Sequence, residues 1–172
     1  KRDRFDPRYP GYRVGALTAH PFDEKVLLGG IGALHTLPDG MDAVLSLCRI
    51  GDDDVRRDIP HVEVRLIDRP DPDENPHLGF VLLEAVKTIE RFRRDGKTVL
   101  VHCVEALSRT PSVAALYGAR LQDVAVDEAL RSVSDVLPDA SPNAAFREAL
   151  RRLHVQNGAK VTAGASREES DD

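Results

Sequence analysis

The chain has 172 residues and is 41% hydrophobic, enough for one domain with one sizeable core, so a single site is expected rather than two. Its net charge of −5, from 29 acidic and 24 basic residues spread along the chain, excludes a basic stripe of the kind that holds nucleic acid or an anionic membrane, and any affinity for phosphate must come from local geometry. The two cysteines, Cys48 and Cys103, each lie in an apolar run rather than a disulfide framework, and no apolar stretch approaches the roughly eighteen residues of a membrane span, so a cytoplasmic setting is expected.

The chain opens on Lys1 rather than Met, as an excised piece of a longer protein does. Residues 1–22 read as an irregular arm: Lys1 to Gly11 mixes charge with Pro7 and Pro10. Short apolar runs that suit strands follow at Lys25–Leu28, Ala43–Cys48 and Val62–Ile67, each closed by turn residues such as Gly29-Gly30, Gly51-Asp52 or Pro70-Asp71-Pro72. A helix is expected over His77–Arg94, opened by Asn75-Pro76 as cap and first-turn proline and closed by Asp95-Gly96. Its apolar stripe is Leu78, Leu82, Ala85, Val86, Ile89 and Phe92. Thr98–Val101 is wholly apolar, as a strand buried on both faces is. Helical patterns resume over Thr110–Gln122, Val126–Val136 and Asn143–Leu153. Strands interleaved with helices predict an α/β layer structure over residues 23–155. Residues 156–172 are Gly, Ala, Ser and acid without apolar period, and read as a disordered tail or linker.

The informative segment runs from Val99 to Ser112: a buried strand, a short loop, then a helix. Ligands of α/β sheets bind at the carboxyl ends of strands, and a helix amino terminus there offers unpaired amides and a positive dipole end. Cys103 stands at the mouth of that site and Arg109 opens the helix. The intervening Val104, Glu105, Ala106, Leu107 and Ser108 are enough chain to wrap once around a phosphate, with a forked guanidinium completing the ring. A field that holds a dianion also stabilises a thiolate, which makes a cysteine there a nucleophile.

His102-Cys103, five residues, then Arg109-Thr110 resembles the signature of the cysteine-based protein tyrosine phosphatase superfamily, and Ser141–Phe146 resembles the segment that follows it in the dual-specificity branch. The resemblance covers about Val26 to Leu153. It implies a four- or five-stranded mixed sheet flanked by helices and a phosphoenzyme mechanism with no metal and no cofactor. In it Cys103 attacks phosphorus, Arg109 binds the equatorial oxygens, Thr110 supplies the hydroxyl that settles the departing thiolate, and Asn143 is a buried amide that braces the loop. The family's general acid is an aspartate just after an upstream strand. Asp68 fits that place best, with Asp71 and Asp73 as alternates. His102 is expected to brace the loop through hydrogen bonds rather than to transfer protons. The implied substrate is a phosphorylated protein or a small phosphomonoester, taken by a monomer without nucleic acid or membrane. Beyond Arg4-Phe5 and Tyr9-Pro10 there is no upstream phosphotyrosine-recognition loop, so a shallow pocket open to phosphotyrosine, phosphoserine and phosphothreonine is expected.

Other readings stand beside this one. A phosphate-binding module without turnover, a rhodanese-like sulfur carrier, and a phosphatase for phosphoinositide or nucleotide ends all share the cysteine loop. Cys48 reads as a small buried hydrophobe or as a redox partner of Cys103. His20, His35, His61, His77 and His154 lack metal-ligand spacing and read as surface or packing residues. Within the loop, relatives of this type carry glycine where this chain has Ala106. A negative φ with the methyl outside the cradle preserves the enzyme reading, a rearranged loop favours the module, and an intact cradle is expected. Glu105 is expected to point outward, pairing with Arg120 or another cation, since a carboxylate facing a dianion repels it.

Overall fold

The computed structural model describes residues 17–51, 55 and 58–153. The expectations for Lys1–Gly11 and for the tail 156–172 lie outside the described residues. Five strands form one sheet: β1 (Leu17–His20), β2 (Asp23–Gly29), β3 (Ala43–Ser46), β4 (His61–Glu63) and β5 (Val99–His102). Their order is β1-β2-β5-β3-β4, with β1 antiparallel to β2 and every other pair parallel. The mixed α/β sheet expected from the sequence is therefore five-stranded.

The centre goes to β5 because Val99, Leu100, Val101 and His102 are all buried and so need cover on both faces. Alternation then divides two cores. Val99 and Val101 join Val26, Leu28 and Leu45 in the main core beneath α2 (Leu78–Arg94), α3 (Arg109–Gln122), α4 (Val126–Val136) and α5, the helix over 144–153. Leu100 and Val44 face the opposite way, onto Ala33 and Leu34 of the short helix α1 (Gly32–His35) and onto Met41.

Three boundaries differ from expectation for physical reasons. Leu17–His20, read as part of the arm, pairs with β2 because the ring of His20 is buried under α3. Its Nε2 lies 3.0 Å from the Ala114 carbonyl, and its Nδ1 accepts the Phe22 amide. The strand expected over Val62–Ile67 keeps regular pairing only to Glu63, because the chain then turns toward Arg109, whose Nη1 donates to the Leu66 carbonyl. Asn75 does not cap α2. The cap is His77, and the Asn75 side chain is engaged elsewhere.

Where β1 and β2 meet α3, the helix carries Gly118, because a Cβ there would lie 2.9 Å from the Phe22 ring and 3.1 Å from that of His20. Asp23, at the start of β2, accepts hydrogen bonds from Arg93 of α2 and Tyr117 of α3, which fixes this corner. Gly118→Ala gains up to about 1 kcal/mol of helix propensity. Overpacking against two constrained rings costs about 1–3 kcal/mol. The expected outcome is net destabilisation, measured by urea unfolding; a more stable variant would show that the rings yield.

Candidate active site

The parallel strands β2, β5 and β3 end together, and the segment 103–108 wraps above them before α3 begins. Neighbouring elements hold this loop by its acceptors. The Ile31 amide donates to the Val104 carbonyl, the Ser141 amide to the Leu107 carbonyl, and the Asn143 amide to Ser108 Oγ. Ser112 donates twice to the Ser108 carbonyl, through its amide and its hydroxyl. Among the described residues, no backbone amide from Val104 to Arg109 has an acceptor. A loop whose acceptors are taken and whose donors are free, closed by a helix amino terminus, is an anion cradle.

Arg109 reinforces it. Its side chain is 12% exposed, Nη1 donates to Leu66, and Nε is buried without a hydrogen-bond partner. Asp68 Oδ2 stands 3.8 Å from that Nε, too far for a hydrogen bond but close enough for attraction. Asp68 Oδ1 accepts from Asn143 Nδ2 at 2.9 Å, so the carboxylate is held across the mouth from the loop. The alternates are placed differently. Asp71 accepts the Asp73 amide and caps a single 3-10 turn over Pro72–Glu74, and both acids are exposed.

The structure brings Cys103, Arg109, Asp68, Asn143 and the loop residues together, with several differences from expectation. Asn143 is half-buried rather than buried. It braces the loop through its backbone amide, while its side chain serves Asp68 and, through Oδ1, caps α5 at the Phe146 amide. Thr110 is buried and its hydroxyl donates to the Gly29 carbonyl, so it must turn to reach a thiolate. Glu105 is exposed as expected, but Arg120 is taken by Glu90 at 2.8 Å and is no partner for it. Ala106 has φ +60°, not the negative value that alanine prefers. Its methyl belongs to the main core, 4% exposed, so the backbone keeps a glycine-like bend and the side chain is absorbed by packing.

Both cysteines are free thiols and both are buried. Burial pushes the Cys48 thiol up to about 12, opposed by the charge of Arg109, so it carries its proton at neutral pH. Among the described residues there is no His, Cys, Asp and Glu cluster able to hold a metal ion, and no helix is long and apolar enough to cross a membrane.

Two residues of the site escape sequence reasoning. Asn75 pairs with both backbone groups of Ile67, donating to the carbonyl at 2.7 Å and accepting the amide at 3.0 Å, and so pins the segment that carries Asp68. Ser46 hydrogen-bonds His102 at 2.6 Å. Ser46 left one trace in the sequence, as a lone hydroxyl in the apolar run Ala43–Cys48; Asn75 left none beyond its role as a cap.

A cysteine and an arginine on a strand–loop–helix anion cradle with an aspartate opposite define a cysteine-dependent phosphatase-type site. The family described as dual specificity phosphatase, catalytic domain, matches residues 40–156, and the chain belongs to it. Dual specificity protein phosphatase 1 of Arabidopsis thaliana is 32% identical over 96 residues, which is 56% of this chain and 46% of that one. Protein phosphatase Slingshot homolog 3 of Homo sapiens is 30% identical over 115 residues, covering 67% of this chain and 16% of that one. The match thus spans less than half the length of either relative. Human DUSP28 superposes with a TM-score of 0.71 at 20% identity over 84% of this chain and 99% of that chain, and DUSP15 with 0.69 at 20% over 91% and 98%. These are likenesses of fold.

His102 lies fully buried under the loop. Burial pulls its pKa from 6.5 down to about 4, with the Cys103 carbonyl opposing and the charges of His61, Arg109 and His35 adding. Burial lowers His20 and His61 as well. Between the ordinary and the lowered value, the unfolded chain binds a proton that the folded chain does not, so stability falls as the pH drops through that window. For His102 alone the effect is on the order of 3 kcal/mol. Urea unfolding at about pH 7.5 and about pH 5 is expected to show about 2 kcal/mol of this loss, since the window extends down to about pH 4, and His102→Asn to reduce it. Equal stability at the two pH values overturns the assignment.

Proposed function

We propose that the chain hydrolyses phosphomonoesters, chiefly phosphotyrosine and also phosphoserine and phosphothreonine in proteins, through a cysteinyl-phosphate intermediate. The Cys103 thiolate attacks phosphorus while the P–O ester bond breaks, and Asp68 gives its proton to the leaving oxygen. Water then attacks the phosphocysteine, passing a proton to the Asp68 carboxylate. The P–S bond breaks, and the thiolate and inorganic phosphate are released. Arg109 and the amides from Val104 to Arg109 bind the phosphoryl oxygens and stabilise their developing charge. The observation that carries this reading is the combination of unpartnered donors on the loop with the Nε of Arg109, buried and without a hydrogen bond, 3.8 Å from Asp68.

The same geometry disfavours the rivals. A sulfur carrier has no use for a carboxylate held at the mouth by Asn143, and a loop that keeps its glycine-like bend at Ala106 keeps its donors in place. Leu107, 36% exposed on the loop, and Ile67, 43% exposed beside Asp68, give low apolar walls, in accord with a shallow pocket that admits more than one phosphorylated side chain. A reducing, cytoplasmic setting suits a chemistry that needs Cys103 as a free thiol.

Cys103→Ser is expected to abolish turnover of an aryl phosphate while keeping vanadate binding, since amides and Arg109 remain; hydrolysis near the parent rate overturns the mechanism. Asp68→Asn is expected to slow peptide and alkyl substrates by about 10²–10⁴-fold, and activated aryl esters far less. Equal loss on both kinds of leaving group moves the acid role elsewhere. Ala106→Gly relieves left-handed strain of about 1 kcal/mol, equivalent to roughly fivefold in kcat/KM if it is felt in the transition state. A variant no faster than the parent shows that the methyl costs nothing.

A further inference from the structure

Beneath the loop, one face of the sheet carries a row of polar side chains that leads to the edge of the molecule. His102 on β5 and Ser46 on β3 are in register, and His61 lies on the edge strand β4. Ser46 Oγ is 2.6 Å from His102 Nε2 and 3.0 Å from His61 Nε2, and His102 Nδ1 is 3.2 Å from the Cys103 carbonyl oxygen. Ser46 and His102 are fully buried, whereas His61 is exposed.

The chemistry of the two ends sets the direction of every bond. A carbonyl oxygen only accepts, so His102 Nδ1 carries the proton and donates to Cys103. The neutral ring then has a bare Nε2, which must accept, so the Ser46 hydroxyl donates to it. The remaining capacity of that hydroxyl toward His61 is as acceptor, so His61 Nε2 carries a proton and donates. The chain runs one way, from solvent to nucleophile: His61 to Ser46 to His102 to the Cys103 carbonyl.

We propose that Ser46 and His61 are positioning residues that act through His102 to favour the reactive, ionised form of Cys103, an inference that rests on reading Cys103 as the nucleophile. Hydrogen bonds in a buried chain polarise one another. The carbonyl at its end belongs to the same peptide group as the Val104 amide, the first free donor of the cradle, so donation to that oxygen makes the amide a stronger donor to negative charge above it. A neutral His102 is what this polarity requires, and burial keeps it neutral near pH 7. His102 is faced by His61, Arg109 and His35, and His61 by Glu63 on its own strand. Because His61 donates from Nε2 whether or not Nδ1 is protonated, the chain survives its titration.

The test measures the alkylation rate of Cys103 by iodoacetamide, followed on the peptide that contains it, so that it needs no substrate. Ser46→Ala and His61→Leu are expected to slow alkylation about threefold to tenfold at about pH 6, the worth of one buried hydrogen bond, and to slow it markedly less at about pH 9. His61→Gln, whose amide can donate from the position of Nε2, is expected to stay within about twofold of the parent. Unchanged profiles for Ser46→Ala and His61→Leu overturn the proposal, and so does slowing of the same size at both pH values, which marks a change of access or packing. Aryl phosphate turnover on the same samples separates the two readings. A parent without turnover whose alkylation still responds to Ser46→Ala refutes the phosphatase reading and leaves the relay, whereas an active parent with unresponsive alkylation refutes the relay alone.

Discussion

The site depends on an imbalance in one loop. Between β5 and α3 the carbonyls of Cys103, Val104, Leu107 and Ser108 are all occupied, by His102, Ile31, Ser141 and Ser112, while the amides from Val104 to Arg109 have no acceptor among the described residues. Unpaired backbone donors in a half-buried loop are costly, and the cost is lifted when an anion fills the cradle. Holding the loop by its acceptors fixes its shape while leaving its donors free. The partners come from every side of the sheet end: Ile31 from the β2–α1 connection, Ser141 and Asn143 from the α4–α5 connection, and His102 from below.

That arrangement explains how an alanine persists where glycine is the easier residue. A left-handed Ala costs on the order of 1 kcal/mol. It is tolerated where surrounding structure over-determines the backbone, and here bonds at Val104 and Leu107 flank Ala106 while its methyl packs into the main core. The intrinsic preference of alanine for negative φ loses here to tertiary packing.

Period and punctuation made the sheet, α2, α3 and α4 legible, because the apolar runs at Val99–His102 and Leu78–Arg94 bury the faces that their spacing implies. The sequence offers Cys103 and Arg109 as candidates because their spacing lies between a strand and a helix, and Asp68 because it follows the β4 segment. What stayed hidden depends on contacts between residues distant in sequence. Leu17–His20 becomes a strand through a buried histidine under α3, and Ser46 reaches His102 across 56 positions. Asn75 looked like a helix cap since the same side-chain chemistry serves both tasks, and only the return of Ile67 beside it reveals which is used. Glu105 does not pair with Arg120, whose guanidinium is bonded to Glu90 of α2.

The segment that carries Asp68 is tied down along its length. A glycine-rich loop must lose conformational freedom each time it closes, and that loss comes out of binding energy. Here Pro70, Pro72 and Pro76 restrict the backbone beforehand. Asn75 pairs with both backbone groups of Ile67, Arg109 holds the Leu66 carbonyl, and Asn143 holds the Asp68 carboxylate itself. The guanidinium thus reaches two sides of the site: Nη1 fixes the segment that carries Asp68, while the buried Nε has no hydrogen-bond partner and stands 3.8 Å from the Asp68 carboxylate. A lysine could not divide its charge this way, since only the planar fork offers donors at fixed angles to two targets. The loop over 103–108 and the Asp68 segment are therefore coupled through one side chain, and the position of each constrains the other.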